Sequence, residues 1–188
     1  LADLGNEEAL LGIFTQVLLK NPLYYGIYLG DSDGSFFEVI NLDTSETARK
    51  TLRAHPKDRW LIISLQQGSK GMERHYRYLD ENLRVRLTRS EATDYDVRSR
   101  PWYTSAMASD SVQLTEPYIF AQLGAPGRTL SKRLKDSGTV VAIDMTLATM
   151  SEFLTTHKIA GHGDVYLFNS TGVVIASSLD QPQEQQHL

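Results

Sequence analysis

The stretch from Tyr95 to Tyr103 concentrates side chains that could bind an anion, with two arginines, three aromatic residues and an acid in nine positions. Proline is favoured at the first position of a helix, so Pro101 predicts a helix that begins there. Arg100 would then lie at the helix N-terminus, where free backbone N–H groups favour an anion, and its guanidinium can hold a carboxylate with two hydrogen bonds. The Trp102 indole N–H and the Tyr95 hydroxyl are further donors. These residue types indicate a carboxylate-binding corner.

Residue types alone leave a second interpretation of this corner open. An aromatic-rich helix start can simply fill a hydrophobic core, and an arginine beside a tryptophan can simply stack on its ring. Under that interpretation, Arg100 and Trp102 stabilise the fold and bind no ligand.

Asp144 is an acid that could complement the arginine across a pocket. It follows the apolar strand at residues 138–143, and side-chain alternation places it on the face of Val140 and Ala142. One interpretation is that Asp144 caps the helix that follows. The other is that it accepts hydrogen bonds from an ammonium group in a pocket. A fixed arginine and a fixed acid would then match the two ends of an α-amino acid.

The elements that position these side chains follow from hydrophobic periodicity and turn residues. Helical spacing predicts helices at residues 5–20, 44–55, 101–109 and 147–156. Apolar runs between turns predict strands at residues 24–29, 35–41, 59–67, 71–79, 83–89, 112–120, 129–135 and 138–145. Many strands with few helices predict an α+β domain, in which helices flank an antiparallel sheet and one helix precedes it.

Residues 165–172 repeat the pattern of residues 27–34. Each segment has a β-branched residue, a tyrosine and a leucine, followed by a polar turn that closes on Gly34 or Gly172. The repeat predicts that residues 165–167 and 173–176 pair as a second hairpin. A lone hairpin is marginally stable in water, so we expect it to lean on the preceding module.

Composition and motifs argue against several function classes. The net charge of −4 argues against nucleic-acid binding, and the absence of cysteine excludes disulfides and cysteine metal sites. The five histidines lack metal-ligand spacing, and the chain has no nucleophile elbow or phosphate-binding loop. The sequence contains no run of about 18 apolar residues, the length needed to span a membrane. We therefore predict a domain that is not an enzyme and that uses no cofactor and no metal.

Three blocks of the sequence together resemble the double Cache (dCache) family, whose members are PAS-like extracytoplasmic sensor domains of bacterial signalling proteins. The blocks are Tyr-Asp-x-Arg-x-Arg-Pro-Trp-Tyr at 95–103, Thr-Glu-Pro-Tyr at 115–118 and Val-Ala-Ile-Asp at 141–144. The resemblance implies a PAS-like sheet module that binds a small molecule. It also implies a periplasmic location at the inner membrane, anchoring helices that flank this segment in the full-length receptor, and leaves a homodimer open.

The amino-acid-binding subgroup of dCache domains is similar to this chain at the motif positions. Its ligand-binding positions correspond here to Tyr95, Arg100, Trp102, Tyr118 and Asp144. The first three hold the ligand carboxylate in that subgroup, and the last two hold its amine. Tyr103 belongs to the same motif, and we assign it support of the corner rather than a direct contact.

The resemblance also divides the chain into three parts. Residues 1–20 correspond to a signalling helix, and residues 21–160 to a membrane-distal, PAS-like ligand-binding module. Residues 161–188 correspond to the opening hairpin of a second PAS-like module and a polar tail. We expect the signalling helix to pack along the sheet of the first module.

One departure from the subgroup leaves the ligand class open. Many members carry a second acid two positions after the Tyr118 equivalent, where this chain has Phe120. Residues 123–135 resemble instead the sensors attached to cyclases and phosphodiesterases. An amino acid is the leading ligand, a non-amino organic acid is an alternative, and an orphan domain that senses through a protein partner is another.

Overall fold

The computed structural model describes residues 6–69, 71–157 and 163–179 and has the predicted α+β architecture. The helices are α1 (Glu7–Lys20), α2 (Glu46–Thr51), α3 (Pro101–Met107) and α4 (Leu147–Thr156). The strands are β1 (Gly26–Gly30), β2 (Phe36–Asn41), β3 (Trp60–Gly68), β4 (Gly71–Leu79), β5 (Val85–Ala92), β6 (Gln113–Leu114), β7 (Tyr118–Ile119), β8 (Pro126–Arg133), β9 (Val140–Thr146), β10 (Tyr166–Phe168) and β11 (Val174–Ser177).

The main sheet is antiparallel, with the strand order β5-β4-β3-β2-β1-β9-β8-β6 and with β7 also paired to β8. Strand β1 lies between β2 and β9, so the early and late parts of the chain meet at the centre of the sheet. The register aligns Tyr28 with Glu38 on one side and with Ala142 on the other, and it aligns Gly26 with Asp144. Residues in register share a face of the sheet, so these distant residues become neighbours.

One face of the sheet, the α1 face, is covered by helix α1. Leu10, Phe14 and Leu18 are buried there against apolar side chains such as Ile27 and Val39. The N-terminal helix is therefore packed along the sheet, as helical spacing predicts. The Asn6 side chain accepts a hydrogen bond from the Ala9 backbone N–H and caps the helix start. Part of the predicted segment, residues 1–5, lies outside the described residues.

The opposite face, the cavity face, is covered by α3 and the residues that lead into it, a stretch called the covering segment (residues 97–107). Val97, Trp102 and Ala106 from this covering segment pack with Tyr28 and Phe36 of the sheet. The Trp102 ring meets the Tyr28 ring edge-on, with 4.9 Å between centroids. A Cβ atom at Gly30 would lie 2.6 Å from the Trp102 side chain, so this close approach requires glycine.

Two predicted elements are shorter than the patterns indicate. The helix expected at residues 44–55 is confined to α2, and Arg53 follows it in the left-handed region with φ 56°. The strand expected at residues 112–120 is split into β6 and β7. Pro117 lies in the gap, and proline has no backbone N–H to donate to a neighbouring strand.

The second hairpin forms as predicted, since β10 and β11 pair as a separate antiparallel sheet. It leans on α4 through a small cluster of Met150, Ile175 and Ala176. The boundary predicted at residues 160 and 161 and the tail at residues 181–188 lie outside the described residues. The assignment of this hairpin to a second module stays a prediction.

Candidate functional site

The five residues predicted to bind ligand, although spread over 50 positions of sequence, line one cavity on the cavity face. They are Tyr95, Arg100, Trp102, Tyr118 and Asp144. The other lining residues are Tyr28, Phe36, Glu38, Phe120, Ala121 and Gln122. The structure therefore brings the predicted set together, while the binding role of its members stays a prediction.

The cavity is small. Its volume of about 10 Å³ is enough for about one water molecule. It adjoins an open cleft of about 750 Å³, and Tyr95, Arg100 and Ala121 line both spaces. These three residues form the wall between the cavity and the open cleft.

Arg100 enters the cavity from the covering segment. A short 3₁₀ helix, Val97–Ser99, leads into it, and the Arg100 backbone N–H donates to the Val97 carbonyl at 3.0 Å. The guanidinium lies 5.4 Å from the Tyr95 ring centroid and 5.8 Å from that of Tyr118, within range of cation–π attraction. Its Nε atom is buried without a hydrogen-bond partner among the described residues. Arg100 is thus held in place, and its Nε–H is a donor that a ligand could use.

Trp102 and Tyr95 are aromatic residues of the cavity lining beside Arg100. Trp102 is 1% exposed, and Tyr95 packs against Phe36 with 5.7 Å between ring centroids. Burial raises the pKa of Tyr95 to about 12, while a hydrogen bond with Trp102 and the charge of Arg100 act in the opposite direction. The Tyr95 hydroxyl therefore stays protonated near neutral pH and can donate a hydrogen bond.

Tyr103 lies outside the cavity lining. Its hydroxyl donates to the Gly138 carbonyl at 2.6 Å, and its ring meets the Trp102 ring edge-on at 5.5 Å. These contacts tie α3 to the start of the β9 region. They agree with the supporting position that we assign to Tyr103.

Asp144 enters the cavity from the sheet and is 6% exposed. Its Oδ1 atom accepts hydrogen bonds from the Tyr28 hydroxyl at 2.7 Å and from the Thr129 hydroxyl at 2.5 Å. Thr129 donates its one hydroxyl proton to Asp144, so the Tyr118 hydroxyl is the donor in its hydrogen bond to Thr129 Oγ1, at 2.7 Å. Burial raises the pKa of Asp144 to about 7, although the hydrogen bonds from Thr129 and Tyr28 and the charge of Arg100 lower it.

The capping interpretation of Asp144 does not hold. The side chain that caps α4 is Thr146, whose hydroxyl accepts a hydrogen bond from the Thr149 backbone N–H at 3.0 Å. Strand β9 alternates strictly, so Asp144 shares the buried face of Val140 and Ala142, as its position in the strand predicts.

Glu38 is a cavity residue that sequence reasoning missed. It is 3% exposed, and its Oε2 atom has no hydrogen-bond partner among the described residues. Burial raises the pKa of Glu38 well above its usual value, the charge of Asp144 raises it further and Arg74 lowers it. The signal in the sequence was an acid inside the apolar run of β2, on the same face as Phe36.

The described ranges contain neither a candidate metal site nor a helix that could span a membrane. Residues 6–69, 71–157 and 163–179 contain no group of three or more His, Cys, Asp or Glu side chains that could hold a metal ion. No helix in these ranges is both long and apolar enough to cross a membrane.

Comparisons with known proteins place these observations in context. No protein-family model matches the chain. It is 25% identical over 171 residues to adenylate cyclase 1 of Rhizobium meliloti, which covers 89% of this chain and 26% of the cyclase. It is 30% identical over 116 residues to the methyl-accepting chemotaxis protein McpB of Bacillus subtilis, covering 61% of this chain and 17% of McpB. The chain thus spans about a quarter or less of these relatives.

A solved structure supports the fold assignment. The sensory domain of the Campylobacter jejuni chemoreceptor Tlp3 superposes with a TM-score of 0.53 at 13% identity, over 95% of this chain and 55% of that one. Within this chain, the superposed 95% includes most of the described residues, which form the large antiparallel sheet and its helices. This chain therefore shares the fold of that sensory domain.

Proposed function

We propose that the chain is the extracytoplasmic ligand-sensing domain of a bacterial transmembrane receptor and that it binds a small carboxylate-bearing molecule, foremost an α-amino acid. The observation that carries this proposal is that Arg100 and Asp144 line one small cavity. Arg100 comes from the covering segment and Asp144 from the sheet, so a ligand between them would touch both layers.

The carboxylate end of the ligand would bind at Arg100. The Arg100 Nε atom is buried without a hydrogen-bond partner among the described residues, and such a donor is costly unless it is satisfied. A carboxylate satisfies it with a charge-assisted hydrogen bond. The Tyr95 hydroxyl lies on the same cavity and supplies a further donor that a carboxylate accepts, while the Trp102 indole lies beside it and would have to exchange its hydrogen bond with Tyr95 for one to the ligand.

The ammonium end would bind at Asp144. An ammonium group offers three donors and no acceptor, and Asp144 offers a buried carboxylate whose neighbours already orient it. The Tyr118 hydroxyl is linked to the Asp144 carboxylate by a chain of two hydrogen bonds through Thr129. An amino acid would thus place its negative end at the covering segment and its positive end at the sheet.

Binding would require the wall between the cavity and the open cleft to move, because the cavity is smaller than any amino acid. The residues shared by both spaces are Tyr95, Arg100 and Ala121, so this wall is also the ligand's route of entry. A ligand that favours one position of the wall shifts the population of states. Such a shift is a signal that α1, on the other side of the same sheet, could pass on.

The relatives favour a sensing module over an enzyme. Similar stretches occur in proteins named as an adenylate cyclase and as a methyl-accepting chemotaxis protein, whose names describe different outputs. We propose that residues 1–20 belong to the signalling helix and residues 161–188 to a second module. Membrane anchoring by flanking helices, a periplasmic location and a homodimer are part of the same proposal.

A plain carboxylate ligand is the second candidate. Phe120 stands on the cavity where many relatives in the amino-acid subgroup have a second acid, and Asp144 has a pKa of about 7. A protonated Asp144 could donate a hydrogen bond to a ligand hydroxyl or carboxyl group. Such a ligand would need Arg100 as much as an amino acid does.

A thermal-shift screen of the twenty standard L-amino acids and of small organic acids tests the proposal, because a ligand of the native state raises the melting temperature. Calorimetry on Arg100→Ala should then show affinity at least about tenfold weaker. The matched control is Arg98→Ala, since Arg98 is exposed and paired with Asp96. Wild-type affinity in the Arg100→Ala variant would refute the site.

Asp144→Asn separates the two ligand classes. If an amino acid is the ligand, this variant should weaken its binding by at least about tenfold and should change the binding of the matching 2-hydroxy acid much less. Equal losses for both would favour the plain carboxylate. A screen in which no amino or organic acid binds would favour an orphan domain that senses through a protein partner.

A further inference from the structure

Glu38 is a buried carboxyl group on the cavity that the two ends of the proposed site leave unused. It is nearly fully buried, and its Oε2 atom finds no hydrogen-bond partner in the described part of the chain. Burial of a polar group without a partner costs free energy, and its charged form costs more. A group of this kind requires a partner that the described residues do not provide.

The strand register shows where that partner would lie. Gly26 on β1 is aligned with Asp144 on β9 and with Ile40 on β2, and Glu38 precedes Ile40 by two residues on the same face. A Cβ atom at Gly26 would lie 3.2 Å from the Glu38 Oε1 atom. The Glu38 carboxyl group therefore extends over Gly26, toward the strand that carries Asp144.

The charges around this gap also suit a cation. The titratable groups whose charges act on Glu38 or Asp144, or whose own pKa these two acids raise, are Tyr25, Tyr28, Arg74, Tyr95, Arg100 and Tyr118. The charge of Asp144 raises the pKa of Glu38 beyond the effect of burial, so the two acids disfavour each other's ionisation. A cation between them would remove that conflict. Arg74 and Arg100 balance the two carboxylates, so a ligand with no net charge leaves the site neutral.

We propose that Glu38 and Asp144, separated by Gly26, form a two-carboxylate site for the primary ammonium group of the ligand. This inference rests on the proposed function and adds a residue and a selectivity to it. A primary ammonium has three N–H donors, and two carboxylates can each accept one of them. The site selects ligands that carry an ammonium group over ligands without an amine.

The test compares wild-type protein with Glu38→Gln, Gly26→Ala and the control Glu8→Gln, whose side chain is exposed on α1. The probes are the twenty standard L-amino acids, then the 2-hydroxy analogue of the tightest binder. Glu38→Gln should weaken amino-acid binding at least about tenfold and 2-hydroxy-acid binding less than about twofold. Gly26→Ala should act in the same direction, because its methyl group occupies the gap.

Proton release gives a second readout that a purely structural role would not change. Calorimetry at pH 7 in two buffers of different ionisation enthalpy should show that wild-type protein releases protons on binding an amino acid, since both acids then ionise. Glu38→Gln should release fewer. Its melting temperature in the absence of ligand should equal or exceed that of the wild type, because a buried acid is removed.

The outcomes separate this inference from the proposed function. Wild-type affinity and unchanged proton release in Glu38→Gln would overturn the inference, while amino-acid binding by the wild type would still support the proposed function. Equal losses for the amino acid and its 2-hydroxy analogue would also overturn the ammonium assignment. If the wild type binds none of the twenty amino acids, the inference and the amino-acid assignment fall together.

Discussion

The two faces of the central sheet are built from the same strands and differ in the chemistry that they bury. On the α1 face, Ile27 and Phe37 meet the apolar side of a helix. On the cavity face, the next residues along the same strands, Tyr28 and Glu38, lie on the cavity wall with Asp144. Side-chain alternation with a period of two lets adjacent residues serve these different purposes.

The difference shows which contacts stabilise the fold and which are available for binding. The α1 face buries apolar groups that need no partner beyond close packing. The cavity face buries polar groups, and the Arg100 Nε and Glu38 Oε2 atoms have no hydrogen-bond partner among the described residues. Substitutions on the α1 face should therefore change stability, and those on the cavity face should chiefly change binding.

The largest effect is expected on the α1 face. Leu18 is 0% exposed, so Leu18→Ala should lower the free energy of unfolding by about 2–5 kcal/mol, measured by urea denaturation. Its neighbour Leu19 is 45% exposed, so Leu19→Ala should change it by less than about 0.5 kcal/mol. Ligand affinity of the folded Leu18→Ala protein should match the wild type. A tenfold loss of affinity would break the separation of the two faces.

Asp144 should make the stability of the ligand-free protein depend on pH. Its pKa is raised in the folded state, so the folded state binds more protons than the unfolded state, and stability falls as pH rises from about 4 to about 7. A pKa raised from 3.8 to about 7 corresponds to a loss of roughly 4 kcal/mol. Denaturation of Asp144→Asn at pH 5 and pH 8 should show a smaller loss. Glu38 leaves a residual dependence, because its pKa is raised too.

Amino-acid affinity should depend on pH in the opposite sense, because an ammonium group needs an ionised Asp144. Affinity should rise from pH 5 through pH 7, with up to about tenfold per pH unit from Asp144, and should level off only where both Asp144 and Glu38 are already ionised in the free protein. Calorimetry across this range measures the slope. Asp144→Asn should bind more weakly and with a shallower slope, and an identical slope in that variant would exclude Asp144 as its source.

The smallest effect is expected from one hydroxyl group on the cavity face. Tyr118→Phe removes the donor to Thr129 and should weaken amino-acid binding by about two- to tenfold, the range for a neutral hydrogen bond. Tyr24→Phe is the matched control, since Tyr24 packs with the cluster on the α1 face. If both variants bind equally well, the Tyr118 hydroxyl takes no part in the site.

Elements whose cause is local could be predicted from residue types and spacing. Helical spacing predicts α1 and α4, and alternation between turns predicts the hairpin of β1 and β2. Pro101 predicts the start of α3, and the repeat of residues 27–34 at 165–172 predicts the hairpin of β10 and β11. The motif residues of the site could also be named, because the resemblance rests on residue types at fixed spacing.

Which strands are neighbours follows from the packing of the whole sheet, and the site depends on those neighbours. The Tyr28 hydroxyl reaches Asp144 across 116 positions of sequence, and no local pattern records this pairing. The pairing of β9 with β1 brings Asp144 beside the hairpin that carries Glu38, and Gly26 is then the gap between the two acids. Alternation tells which face a residue occupies, whereas the order of strands follows from packing of the whole sheet. For that physical reason, the sequence pointed to Arg100 and Asp144, and the fold added Glu38.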